Sequence, residues 1–383
     1  MEWYQILFGV IVGLLMLTVL VIIHELGHAF LARRSGVEVE EFGIGFPPRA
    51  KALGRYKGTL VTLNWLLPIG GFCKLKGESD AAQGEGSYGS ASYWQKTKIL
   101  FAGVTANALT AFLVFTVLAI TGLPKMMPDQ FSISADTTVI SSPVTVTSVS
   151  ENSPAADNGI QAGDQIVSIA GENLSEATQL SELTSAHHGQ TVAIEIVRDG
   201  DNMEKEVTLR ETPANGYLGV SAGQSEYTRS TWSAPIVGVA VSGQFAWMTL
   251  QGLGDLVVNF FGGVIGSISL DADTRESASA NLATAGDSVT GPVGILGIIF
   301  PNAVMAGATQ LFFITGIISL TLAIMNLLPI PGLDGGRWLL TTIFKIIRKP
   351  LTEDLEATIN GIGMLCLFGL IIAITIADIF KIW

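Results

Sequence analysis

Residues 6–23 are eighteen residues without a charge, and they run directly into His24-Glu25-Leu26-Gly27-His28. A stretch of that length and polarity can cross a bilayer as a helix. At membrane depth no water is available to satisfy the backbone, so such a segment must bond within itself. On a helix, His24 and His28 lie one turn apart on one face. Two imidazoles so placed can grip one zinc ion, with Glu25 beside them as a general base. The same trio could serve as a helix cap or a satisfied polar cluster. Its position at the end of an apolar span favours the metal reading, because ionisable groups at that depth are costly and mark function.

Composition agrees with a membrane setting. Of 383 residues, 14% are charged and 49% hydrophobic, too apolar for an ordinary soluble enzyme. The net charge of −12 is unevenly spread. Ten Lys/Arg lie between Arg33 and Lys98, and four more are Arg337, Lys345, Arg348 and Lys349. Between Gly122 and Gln310 there are six basic residues against twenty acidic ones. The positive-inside rule therefore puts 33–98 and 337–349 in the cytoplasm. The acidic middle and both termini fall on the opposite side. The leader carries Glu2 and no basic residue, unlike a secretory signal, so the first span stays on the protein. No basic-aromatic groove for nucleic acid is visible. Cys73 and Cys366 offer neither a disulfide framework nor a thiolate metal site.

Four spans are expected, at about residues 4–32, 99–123, 311–328 and 362–379. Residues 37–76 contain Pro, Gly and the alternating run Thr59–Trp65, which argue strands, with a turn at Pro68–Phe72. They read as a re-entrant β-hairpin beside the first span, because broken backbone survives at that depth only where protein or water satisfies it. Residues 78–92 form a Gly/Ser/Ala-rich loop. From 145 to 210, short strands alternate with turns around one helical stretch near Ser175–His188; His187 and His188 read as solvated helix-end residues. Residues 234–267 are apolar but interrupted by Gln, Asp, Asn and Gly. Amphipathic helices on the outer surface are expected there, since an extra crossing would carry Asp334 away from His24 and His28. Gly291-Pro292 reads as a helix start.

Two imidazoles are not a catalytic site, which takes three protein ligands and keeps a fourth position open. Asp334 is the best third ligand. It follows Asn326-Leu-Leu-Pro-Ile-Pro-Gly-Leu at the inner end of the third span, on the predicted face and depth of the histidines. Alone, Asp334-Gly335-Gly336 would be a commonplace turn.

His24-Glu25-Leu-Gly-His28 together with Asn326-Leu-Leu-Pro-Ile-Pro-Gly-Leu-Asp334-Gly-Gly resembles the site-2 protease family of intramembrane zinc metalloproteases. Phe42-Gly-Ile-Gly-Phe46, Pro68-Ile-Gly-Gly-Phe-Cys-Lys74 and Gly291-Pro-Val-Gly-Ile295 match its bacterial regulator-of-sigma-E protease subgroup. Ser153–Gly171 resembles PDZ domains of the bacterial protease type. The resemblance implies an α-helical polytopic membrane protein of four transmembrane helices, with a re-entrant β-hairpin sheet and an inserted α+β PDZ domain. The parts are a membrane part over 1–124 holding the β-loop (37–76), an extracytoplasmic PDZ domain over 140–212, an amphipathic linker over 213–290 and a second membrane part over 291–383. It also implies one zinc per chain on His24, His28 and Asp334, Glu25 as catalytic base, and Asn326 as a substrate-binding residue.

The implied substrates are single-span membrane proteins already trimmed outside by an upstream site-1-type protease, anti-sigma factors especially, with signal-peptide remnants as a further class. A helical substrate must unwind to expose its carbonyls, and the strand around Thr59–Trp65 could pair with it. Two departures from the subgroup stand out. Only one PDZ domain is found where tandem domains are usual, and the run before Thr145 lacks the Gly-bearing loop that grips a carboxylate, which favours a size-filter role. A scaffold with a dead site would have lost Glu25 or a ligand. A transporter would show repeated broken helices in both halves. A relative acting on a sporulation pro-sigma factor is a further possibility.

Overall fold

The computed structural model describes residues 1–213, 216–269, 271–287 and 290–382. These form two compact units, Met1–Thr121 with Trp232–Trp383, and Gly122–Thr231.

In the first unit, α1 (Trp3–Arg34) is followed by strands β1 (Val39–Tyr56) and β2 (Thr59–Leu75), then α2 (Tyr93–Thr121). After the second unit come α5 (Ala234–Ser267), α6 (Ala272–Asp287), and a short apolar stretch of α7 (Pro292–Gly294), a π turn (Ile295–Ile299) and α8 (Phe300–Met305). The chain closes with α9 (Ala308–Leu327), α10 (Asp334–Ile346) and α11 (Glu353–Ile382). Among the described residues, five helices are long and apolar enough to cross a membrane: α1, α2, α5, α9 and α11.

Contacts fix the helix directions. Gly27 of α1 lies against Ala102 of α2, while Gly9 and Gly13 pack on Pro301 and Phe300 of α8. Along α2 and α9, Ser319 Oγ donates to the Asn107 carbonyl (2.9 Å), and nearer the other end Phe115 meets Phe313 with ring centroids 6.0 Å apart. These two helices are thus antiparallel. On α11, Asn360 accepts from the Gly332 N–H at 3.1 Å. Near its far end, buried Asp378 accepts from Gly291 N–H (3.0 Å) and Gly294 N–H (2.9 Å), capping the helix that Pro292 starts.

Residues 234–267 differ from the expected surface helices. They form one 34-residue helix whose first half packs into the bundle. Phe245 stacks on Phe115 and meets Phe313 edge-on, both at 5.6 Å. The polar residues that interrupt the sequence do not break the helix, because Gln, Asp and Asn lower helix propensity only modestly, and the second half is supported by α6, where Gly263 lies against Leu282 and Gly266 against Ala278.

The hairpin also departs from expectation. Residues 59–64 pair with 49–56 on one side, and Leu60–Leu66 with residues 41–46 on the other, so Thr59–Trp65 is internal to the sheet. Among the described residues, 71–75 pair with 39–44 alone and run antiparallel to them, whereas 60–66 run parallel to 41–46, so the chain reverses between Leu66 and Gly71, where the turn at Pro68–Phe72 is expected. Phe46, Trp65 and Leu66 are exposed at one end of the hairpin, Arg55 and Lys57 at the other.

The second unit is larger than residues 140–212. A sheet of order β10-β5-β6-β8-β9 is built from β5 (Thr145–Val149), β6 (Gln165–Ile169), β8 (Thr191–Arg198), β9 (Asp201–Thr208) and β10 (Val220–Gly223). β7 (Glu172–Asn173) pairs with β6. Helices α3 (Pro154–Asp157) and α4 (Ala177–Ala186) complete it, with His187 as the C-cap of α4. Ile166, Ile169, Ile194, Ile196 and Val207 fill the core. β11 (Glu226–Arg229) pairs with both β3 (Leu123–Pro124) and β4 (Thr138–Ser141), so the start and end of the unit are knitted together. The sequence boundary at 212 fell short because β10 joins a strand some seventy residues earlier, and such pairing leaves no local signal.

Candidate metal centre

α1 brings His24 and His28 to one face, as their spacing requires, and both are buried. Asp334 opens α10 immediately after the Pro329–Leu333 break. Gly335 and Gly336 let that helix start press against the end of α9, where a Cβ at either would collide with the Leu327 or Ile330 carbonyl. The result is a triangle of donor atoms. His24 Nε2 lies 3.1 Å from Asp334 Oδ2, His28 Nε2 lies 3.2 Å from it, and the two Nε2 atoms are 3.1 Å apart. Three ligands at tetrahedral zinc, with bonds of about 2.0–2.1 Å, would be separated by about 3.3 Å. Two ring nitrogens and one carboxylate oxygen therefore fit a single zinc-sized cation. His28 Nδ1–H donates to the Ile99 carbonyl at 2.7 Å, which leaves its Nε2 as a lone pair for a metal.

Glu25 is not in the triangle. Its carboxylate accepts from the backbone N–H of Cys73, on the singly paired strand 71–75. The Glu25 Cγ lies 4.0 Å from where a Cβ on Gly71 would be. The hairpin thus runs past the general-base candidate, with the edge that no described strand pairs on that side. Asn326 stands apart: its Nδ2 donates to the Leu322 carbonyl (3.0 Å) within its own helix. Asn107, the Ile99 carbonyl and the Cys73 amide were not singled out from sequence. A lone Asn in an apolar run was a usable signal for the first; the backbone groups leave none.

Two histidines one turn apart and a carboxylate converging from a second segment make a three-donor set suited to one metal ion, with the Glu25 carboxylate nearby, here carried on helices long enough to span a membrane. The chain matches peptidase family M50 over residues 12–370 and belongs to that family. It is a multi-pass membrane metalloprotease of the site-2 type. It is 30% identical over 371 residues to a candidate zinc metalloprotease of Clostridium perfringens, covering 97% of this chain and 98% of the other. It is likewise 30% identical over 380 residues to one from Campylobacter jejuni, covering 96% and 92%. A solved PDZ domain of an SdrC-like protein from Listeria monocytogenes aligns with 24% of this chain and 93% of its own at 24% identity and a TM-score of 0.19.

Proposed function

We propose that this protein cleaves peptide bonds in or near the transmembrane segments of single-span proteins, with one zinc per chain held by His24, His28 and Asp334. The observation that carries the reading is the 3.1–3.2 Å donor triangle beside Glu25. Bound there, zinc would supply Lewis acidity toward water and the scissile carbonyl. Glu25 takes the water proton and returns it to the leaving amine. The unpaired edge of residues 71–75 receives the unwound substrate as an added strand, next to Glu25, in place of the internal strand 59–65. Asn326 serves the extended substrate once its amide leaves the Leu322 carbonyl.

Four crossings by α1, α2, α9 and α11 account for the helix directions. α2 ends and α9 begins at the same end of the bundle, so an even number of crossings separates them. α6, with Asp273, Arg275 and Glu276, is too polar to return α5 across a bilayer. The hairpin enters the membrane with its Phe46–Leu66 end. The basic segments face the cytoplasm, which puts the termini and the second unit outside, in a bacterial cytoplasmic membrane. That unit is a PDZ domain, whose edge strand β10 beside α4 supports a peptide-receiving or size-filtering role. Substrates are then membrane proteins shortened outside by an earlier protease, anti-sigma factors and signal-peptide remnants among them.

The test compares purified wild type with Glu25→Gln in detergent. One bound zinc in both, with cleavage of an outer-domain-less single-span substrate about 10²–10⁴-fold slower in the variant, is expected. Chelation should stop wild-type cleavage, and zinc should restore it. Equal cleavage by the variant, or no zinc in either protein, would refute the proposal.

A further inference from the structure

We infer that Asn107 is a positioning residue for the metal ligand His24, presenting its amide oxygen to the His24 Nδ1–H, and that Gly103 one turn earlier makes the space for this contact. The inference rests on the zinc reading of the triangle and adds to it a support from a third helix.

Asn107 is buried on α2, with its side-chain amide 3.4 Å from His24 Nδ1. As placed, the contacting atom is Nδ2, and Oδ1 is a buried oxygen with no hydrogen-bond partner among the described residues. The two ends of an amide have nearly the same shape, so their assignment follows from the hydrogen bonds around them. If Nδ2 donated to His24 Nδ1, a neutral His24 would carry its proton on Nε2. That proton would point into the triangle and remove the lone pair a metal needs. With the amide turned, Oδ1 accepts from Nδ1–H and Nε2 is free. Either orientation leaves one amide atom unpartnered, so the demand of the metal site decides between them. His28 already follows this pattern, with Nδ1–H held by the Ile99 carbonyl at 2.7 Å. Both supports come from α2, eight residues apart. They fix the tautomer and ring orientation of both imidazoles.

Gly103 permits this approach. A Cβ there would lie 2.5 Å from His28 Nε2 and 2.6 Å from both Nε2 and Cε1 of His24. Only a residue without a side chain lets α2 close on both rings while Asn107 reaches around to the back of His24.

The test uses purified full-length protein and measures zinc affinity by competition with a chromophoric chelator, backed by the visible absorption of Co²⁺-substituted protein. Asn107→Leu keeps the size and removes the acceptor; zinc affinity should fall about 10–100-fold. Asn107→Asp keeps an acceptor oxygen and should hold zinc within a few-fold of wild type or tighter. Gly103→Ala should alter the Co²⁺ spectrum by displacing the imidazoles. Gel filtration and melting temperature in detergent identify folded variants, and only those are compared. Folded Asn107→Leu with wild-type affinity would overturn the inference while leaving the zinc site standing. Asn107→Asp as weak as Asn107→Leu would overturn the acceptor orientation. Wild type that takes up no zinc would overturn the metal reading and this inference together.

Discussion

Replacing Gly335 by Ala tests whether the close approach of α10 to the end of α9 is what delivers Asp334 to the histidines. A Cβ at Gly335 would lie 2.5 Å from the Leu327 carbonyl carbon and 2.6 Å from the Leu328 oxygen, with the Leu327 oxygen nearer still. All three are backbone atoms, so no rotamer change relieves the clash. Ordinary contact begins near 3.4 Å, so the start of α10 must retreat by at least about 0.9 Å. Asp334 is the preceding residue and moves with it. A carboxylate oxygen about 2.0–2.2 Å from zinc would then sit near 3 Å, outside bonding range. Loss of one of three ligands should weaken zinc at least about 100-fold, and a misplacement of this size should cost cleavage a comparable factor. The assay is chelator competition together with cleavage of a single-span substrate. Gly369→Ala on α11, where an added Cβ meets nothing within 4 Å, is the control and should match wild type. Gly335→Ala with wild-type zinc affinity and cleavage would refute the reasoning, because Asp334 would then not depend on that contact.

Two further outcomes follow from other parts of the molecule. Phe115 is fully buried between Phe245 and Phe313. Phe115→Ala should cost roughly 2 kcal/mol or more, less than in water because lipid removes the transfer contribution but not the lost packing; a melting temperature in detergent equal to wild type would contradict this. In the second unit, Arg198 Nε and Nη2 hold the buried Asp164 carboxylate at 2.6 and 2.7 Å and keep its pKa below the ordinary carboxylate value. A carboxylate depressed in the folded state stabilises it above the unfolded pKa and loses that stabilisation as pH falls through the folded value. Arg198→Met should therefore lower the melting temperature of this unit at neutral pH and flatten its decline in acid; identical pH profiles would count against the pairing.

The parts legible in the sequence were those that local periodicity carries. His24 and His28 had to share a helix face once residues 6–23 were read as a span, and the pyrrolidines and glycines around Asp334 announced a break at the same depth. The same local view misjudged Ala234–Ser267, where polar interruptions suggested separate surface helices and packing through Phe245 instead supports one long helix. It also took Thr59–Trp65 for an accessible strand, although both of its sides are paired. Alternation of side chains reports that a strand exists but says nothing about which neighbours take its hydrogen bonds.

The amino-acid order by itself determined the chemistry available here: which residues could ligate, which could act as a base, and which stretches had to be helices in an apolar medium. The tertiary structure alone decided the rest. It brought Asp334 to within 3.2 Å of two imidazoles some three hundred residues earlier, set the Cys73 amide on Glu25, and placed Asn107 behind His24. Each of these depends on how closely two distant segments can approach. That distance is set by the small residues at the contact, Gly103 against the histidines and Gly335 against the end of α9, and it becomes visible only when both partners are in place.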